Sequence, residues 1–132
     1  DKLLVTLADL PRGSGKAIDD PVIRQKLARS IIEVEVMRLN ATRAFSKYLS
    51  GDDRGSDASM IKLYWSHAAQ RLYETALDAL GPIAPLAGSD PAGAAGGRFQ
   101  LSWLQSKAFS IYSGSSEVQR NIIGERVLGL PR

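Results

Sequence analysis

Cysteine is absent from the 132 residues, and histidine occurs once, at His67. Disulfides, thiolate nucleophiles and cysteine-ligated metals are therefore excluded. A lone histidine with no second ligand at helical spacing does not build a metal site. No apolar run approaches the length of about 18 residues that a membrane span requires. No basic-then-apolar leader resembles a signal peptide, and a cytoplasmic location is expected. The chain also lacks an alternating strand pattern and an internal repeat. Neither charge sign dominates: 17 Lys and Arg stand against 14 Asp and Glu, a net +3. The basic residues Arg24, Lys26, Arg29, Arg38, Arg43, Lys47, Arg71, Arg120 and Arg126 are scattered. That is the pattern of solvated helix faces, so nucleic acid is not an expected partner.

What is present is helical periodicity on the scale of one domain. A content of 44% hydrophobic and 23% charged residues supports a folded globule. Residues 2–9, KLLVTLAD, read as the end of a helix that begins before the chain does. PRGSGKAIDDP, residues 11–21, reads as a loop. Asp20 and Pro21 then make a helix start, a capping residue followed by a first-turn proline. Ile23, Leu27, Ile31, Val34, Ala41, Phe45 and Tyr48 recur at three- and four-residue steps to about Leu49, with Val36, Met37 and Leu39 widening the stripe. A helix apolar on more than one face is expected to be covered by more than one neighbour.

SGDDRGSD, residues 50–57, is a turn, with Ser56 or Asp57 as cap of the next helix. Its stripe is Ile61, Tyr64, Trp65, Ala68, Leu72, Ala76 and Leu80, and Gly81-Pro82 stops it. Residues 82–97 form a long Pro/Gly/Ala loop of a length that is often functional. A fourth helix is predicted over 99–112 and a fifth over 116–128. Long helices joined by turns give an all-α, antiparallel four-helix bundle with a short extra terminal helix, as one domain over 1–132. Tyr64, Trp65 and Trp103 read as packing residues. Glu33 and Glu35 stand two apart and share no helix face, so they are no carboxylate pair. Ser110, Ser113, Ser115 and Ser116 have no histidine near them in sequence and read as turn and cap residues.

The last 22 residues, IYSGSSEVQRNIIGERVLGLPR, carry the most information. Ser116 and Gln119 read as a capping box at the start of the fifth helix. A helix start of this kind offers free N–H groups and partial positive charge to an electron-rich ligand.

Residues 111–129 resemble the C-terminal signature of the acyl-CoA dehydrogenases, IY-x-G-[ST]-[SN]-E-[IV]-Q-[RL]-x-[IV]-I-x-x-x-[IV]-L-G. The matching residues are Ile111, Tyr112, Gly114, Ser115, Ser116, Glu117, Val118, Gln119, Arg120, Ile122, Ile123, Val127, Leu128 and Gly129. SDASMIKLYWSHAAQRLYETALDALG is similar to the family's AS-x-AK…LGG helix, and DDPVIRQKLARSIIEVEVMRLNATRAF to the helix before it. The likeness covers about residues 17–132. It implies the C-terminal helical domain of a longer flavoenzyme that binds FAD and desaturates an acyl-CoA thioester. It also implies an electron-accepting partner protein and a homodimer or homotetramer, with a hetero-oligomer as the alternative.

Carried over by position, Ser113 stands where many members hold the catalytic glutamate, so no catalytic base is expected in this chain. Gly114 matches the glycine beside the thioester. Ser115 and Glu117 match FAD contacts at the helix start. Gly81 and Asp78 match a Q-x-L-G-G loop that touches a neighbouring subunit's flavin, with aspartate in place of glutamine. A serine hydroxyl takes no α-proton without an activating partner. The family's ER-x-x-F-G-K flavin segment is reduced to Pro11-Arg12-Gly13-Ser14-Gly15-Lys16. Two other readings stand beside the enzyme: a noncatalytic subunit of a hetero-oligomeric dehydrogenase, and a helical interaction module with no activity.

Overall fold

A computed structural model describes residues 2–51, 56–86, 90 and 94–131. Parts of the predicted 50–57 turn and of the 82–97 loop lie outside the described residues. Five α-helices follow one another: α1 (Lys2–Ala8), α2 (Pro21–Leu49), α3 (Ser56–Leu80), α4 (Arg98–Ala108) and α5 (Ser116–Arg126). Helix α3 is the central element, with α2, α4 and α5 packed against it. Pairs such as Arg71–Glu33 and Lys26–Asp78 run α2 antiparallel to α3. Gln70–Ser106 and Ser116–His67 place α4 and then α5 in succession along α3.

The element ends follow local chemistry. The Asp20 carboxylate caps α2, accepting from Val22 N at 2.8 Å and Ile23 N at 3.4 Å, while Pro21 gives up an N–H that would have had no partner. At the far end of α3, Gly81 takes a left-handed φ of +59° and Pro82 follows. The expected loop over 11–21 contains a small hairpin, β1 (Pro11–Arg12) paired antiparallel with β2 (Gly15–Lys16). Two residues per strand are too few for any alternation to show in the sequence.

The apolar core lies at one end of the bundle. Leu7, Ala17, Ile23, Leu27, Ala76, Ala79, Leu80 and Phe99 bury one another there, bringing α1, the start of α2, the end of α3 and the start of α4 together. Each fully buried large side chain of this kind contributes roughly 1.5–3 kcal/mol.

Beyond Leu27 the α2 expectation is corrected. Ile31 is 54% exposed and Phe45 62% exposed, and Ala41 and Tyr48 are also exposed. The side turned to α3 carries Ser30 and Glu33, both buried, with Val34 and Met37 half-buried. Most polar atoms on this face have partners: Ser30 Oγ donates to Lys26 O, and Glu33 Oε1 accepts from Arg29 and Arg71, while Glu33 Oε2 is buried without a hydrogen bond. Ala68 and Ala69 of α3 leave room for the approach. Beyond Leu27, the stripe residues Ile31, Ala41, Phe45 and Tyr48 are therefore left uncovered by the described residues.

Helix α4 starts at Arg98 and stops at Ala108, short of the expected Tyr112. Gln70 Nε2 takes the Ser106 carbonyl and the Ser110 hydroxyl, both at 3.0 Å. Phe109 N also closes on Ser106 O, a three-residue turn that tightens the end. Phe109 then stacks on Trp65 with ring centroids 4.6 Å apart, and Tyr112 meets Phe109 edge-on at 5.9 Å. Trp103 carries the Lys107 ammonium over its ring at 4.8 Å. Helix α5 ends at Arg126, two residues before the expected Leu128.

Candidate functional site

The turn between α4 and α5 brings the family-like residues together. Ser113 has φ +56° and Gly114 φ +89°, two successive left-handed residues. Ser113 is the only non-glycine residue with positive φ among the described residues. A side chain in that region costs about 1–2 kcal/mol, so the surroundings must hold it. Gly114 is required by space as well: a Cβ there would stand 2.6 Å from Gln119 Nε2.

The cap of α5 is one residue earlier than the sequence suggests. Ser115, extended at φ −61° and ψ 166°, caps the helix, its Oγ accepting from Val118 N at 3.4 Å. The expected Ser116–Gln119 capping box does not form. Ser116 is already inside the helix, buried, with its Oγ 3.3 Å from His67 Nε2 on α3. Gln119 instead reaches across the turn, donating from Nε2 to Ser113 O at 3.0 Å. Ser116 thus does have a histidine beside it, brought from 49 residues away.

Lys62 of α3 completes the arrangement by donating to Gly114 O at 2.5 Å. Lys62, Ser66 and Gln70 form an i, i+4, i+8 polar row along α3, and Lys62 and Gln70 bond to the 106–116 segment. Lys62, His67 and Gln70 were missed as site residues by sequence reasoning. That polar row beside an apolar stripe was the signal that could have found Lys62 and Gln70.

Next to this turn a groove of about 460 Å³ opens between α3 and α5, lined by Met60, Leu63, Tyr64, His67, Arg71, Arg120 and Ile123. Burial pushes the His67 pKa below 6.5, and the positive charges of Arg120, Arg71 and Lys62 push it the same way against Glu117. Glu117 in the first turn of α5 is held below the usual carboxylate range by its own backbone N–H first and the Ser115 hydroxyl second. Glu117 is therefore ionised and poorly basic, the opposite of what α-proton abstraction needs. Ser113 has no side-chain partner that would activate it among the described residues. Among the described residues no three His, Asp or Glu side chains converge as metal ligands.

Asp78 and Gly81 lie at the other end of α3, with Asp78 about 24 Å along the helix from Lys62 and about 16 Å from His67 by its rise per residue. Each has a neighbour from the first part of the chain. Lys26 Nζ pairs with Asp78 Oδ2 at 2.5 Å. Arg12 Nη1 donates to the Asp78 carbonyl at 2.5 Å, and Arg12 Nε pairs with Asp20 at 3.2 Å. The same guanidinium stands 3.5 Å from where a Gly81 Cβ would be. Arg12 thus covers the last carbonyls of α3, and the Asp78 charge is offset by Lys26.

The site is thus a strained Ser-Gly turn that feeds a capped terminal helix, on a bundle centred on one helix. The family model for the acyl-CoA dehydrogenase C-terminal domain matches residues 3–128, and the chain belongs to that family. It is 39% identical over 126 residues to acyl-CoA dehydrogenase IpdE1 of Mycolicibacterium smegmatis, covering 96% of this chain and 30% of that protein. To IpdE1 of Mycobacterium tuberculosis it is 37% identical over 129 residues, covering 98% and 32%. The chain therefore spans about a third of the length of the curated relatives it matches. Among solved structures it superposes on the ChsE4-ChsE5 complex from Mycobacterium tuberculosis with a TM-score of 0.85 and 27% identity, over 99% of this chain and 34% of that one. The Tcur3481-Tcur3483 steroid acyl-CoA dehydrogenase shares the fold, with a TM-score of 0.88 at 24% identity over 99% of this chain and 34% of that one.

Proposed function

We propose that this chain is the C-terminal helical domain of an FAD-dependent acyl-CoA dehydrogenase, contributing oligomer packing and one wall of the flavin and thioester site. The observation that carries the reading is the Ser113–Gly114 turn: two successive left-handed residues, matching the family's motif, lead directly into the α5 start. Gly114 lies against the thioester, and Ser115 and Glu117 lie against the flavin. The bound flavin would supply the hydride acceptor for α,β-desaturation. The residues present fit one edge of such a group through the exposed Ser113 backbone, where the Ser113 and Gly114 N–H groups take no acceptor among the described residues. Asp78 and Gly81, at the far end of α3, face the flavin of a neighbouring subunit, with Lys26 removing the charge penalty of the aspartate. The full enzyme passes its electrons to an acceptor protein.

Ser113 leaves the base to another part of the assembly: a carboxylate outside this chain, or one on a partner subunit. The exposed apolar face of α2, with Ile31, Ile32, Leu39 and Phe45, supplies packing surface for a homodimer or homotetramer. A second reading is favoured by two specific observations. Ser113 is no base, and Arg12, one position out of register with the family's flavin-segment arginine, is engaged with Asp20 and α3. Both suit a noncatalytic subunit paired with a catalytic one, and the ChsE4-ChsE5 relative is itself a complex of two differently named chains.

The test is made on the full-length protein. Purified protein should be yellow, and an acyl-CoA should bleach its flavin absorbance. In that protein Ser113→Ala should keep most of the turnover. A colourless protein that gains no flavin, alone or with a second dehydrogenase chain, overturns both readings. Turnover that needs the second chain selects the noncatalytic subunit.

A further inference from the structure

Resting on the reading that Gly114 faces the thioester, we propose that Lys62 and Gln119 are positioning residues. They clamp the Ser113–Gly114 turn in its left-handed form and so fix the backbone edge presented to substrate. Three observations carry this. First, the turn is not one the local sequence prefers, because Ser113 at φ +56° is strained and persists only where its surroundings over-determine it. Second, the two successive carbonyls of the turn are each taken by a side chain from a different helix. Gln119 Nε2 of α5 donates to Ser113 O at 3.0 Å, and Lys62 Nζ of α3 donates to Gly114 O at 2.5 Å. Third, the clamp is enclosed: Gln119 is 7% exposed and its amide fills the space a Gly114 Cβ would take.

The Lys62 bond is charge-assisted, the stronger kind, and spans 52 residues of sequence, so it ties the turn to the central helix. The Ser116–His67 contact at 3.3 Å holds the first turn of α5 to the same helix. Both carbonyls point into the bundle and are satisfied there. The backbone N–H groups of Ser113 and Gly114 take no acceptor among the described residues. A flip of the Ser113–Gly114 peptide would turn Ser113 O away from Gln119 and bring Gly114 N–H toward it. The clamp opposes the flip, and misplacing a reacting group by about 1 Å costs on the order of 100-fold in rate.

The experiment uses the full-length flavin-loaded protein, with Lys62→Met, Lys62→Arg and Gln119→Leu, and two readouts. Amide hydrogen exchange is followed over residues 112–117, and kcat and KM are followed with an acyl-CoA. Lys62→Met and Gln119→Leu should each speed exchange in that segment about tenfold, leave exchange in α2 and the flavin content unchanged, and lower kcat about 10- to 100-fold. KM should move less than kcat, and Lys62→Arg should restore most of the rate. Unchanged exchange over 112–117 in both variants overturns the clamp whatever the activity. Faster exchange with undiminished kcat overturns the positioning role. A wild-type protein that turns over no acyl-CoA, alone or with a second dehydrogenase chain, overturns the proposed function and the positioning role with it, and the exchange data still decide the clamp.

Discussion

Replacing Gly114 by alanine probes the turn with one methyl group. Two costs add. A side chain at φ +89° lies in the left-handed half of conformational space, which costs about 1–2 kcal/mol. The new Cβ would also stand 2.6 Å from Gln119 Nε2 and 3.6 Å from Val118 Cγ1. The Val118 contact is ordinary, so the relief must come from Gln119. Its amide is the end of a flexible side chain, but a buried one, and moving it breaks the bond to Ser113 O. That loss is about 1 kcal/mol. The sum is about 2–3 kcal/mol, or a fall in Tm of about 6–15 °C for a domain of this size. Circular dichroism of thermal and urea unfolding of this chain measures it. A second variant separates the two costs: in a Gln119→Ala background the methyl group meets no amide, and Gly114→Ala should then cost only the backbone part, about 1–2 kcal/mol. A Gly114→Ala variant within about 0.5 kcal/mol of the parent would refute the reasoning. A cost equal in both backgrounds would refute the steric part alone.

Acidification should destabilise the fold through His67. Its folded pKa lies below 6.5, so the unfolded chain takes the proton first; the contribution is complete above pH 6.5 and is lost as pH falls through the folded value. His67→Gln should flatten that limb of the urea-midpoint profile, and an unchanged slope counts against it. Arg71→Ala leaves the buried Glu33 with Arg29 alone and should cost about 1–2 kcal/mol, a discounted figure because the Arg71 side chain is 36% exposed. A double-mutant cycle with Glu33→Gln that shows no coupling refutes the pairing. Phe99→Ala, at a site only 2% exposed, should cost about 3–5 kcal/mol. Phe45→Ala should cost less than about 0.5 kcal/mol in the monomer. It should nonetheless weaken self-association in light scattering, and a chain that stays monomeric at high concentration removes the role given to that face.

Helix starts and stops were legible in the residues because they are decided within a few positions. Asp20 followed by Pro21 satisfies or removes the first N–H groups of α2 whatever packs nearby. Gly81 followed by Pro82 ends α3 because only glycine adopts the left-handed turn without strain. The closing stretch from Ile111 to Gly129 was legible for a different reason: a specific run of residue types at fixed spacing is a one-dimensional property. What the residues could not decide is which face of α2 is covered. Its stripe of Ile31, Phe45 and Tyr48 has a helical period, but periodicity says only that a face is apolar, and burial is a relation between two helices. Here α3 chose the side with Ser30 and Glu33, because Arg71 pairs with the carboxylate and Ala68 and Ala69 let the backbones approach. The cap of α5 moved by one residue for a similar reason. Ser115 and Ser116 are chemically equal as caps, and the contest was settled by His67, which draws Ser116 into the helix and against α3. The Lys62 bond to Gly114 joins residues 52 apart, and it exists only because the α4–α5 turn is folded back onto the middle of α3.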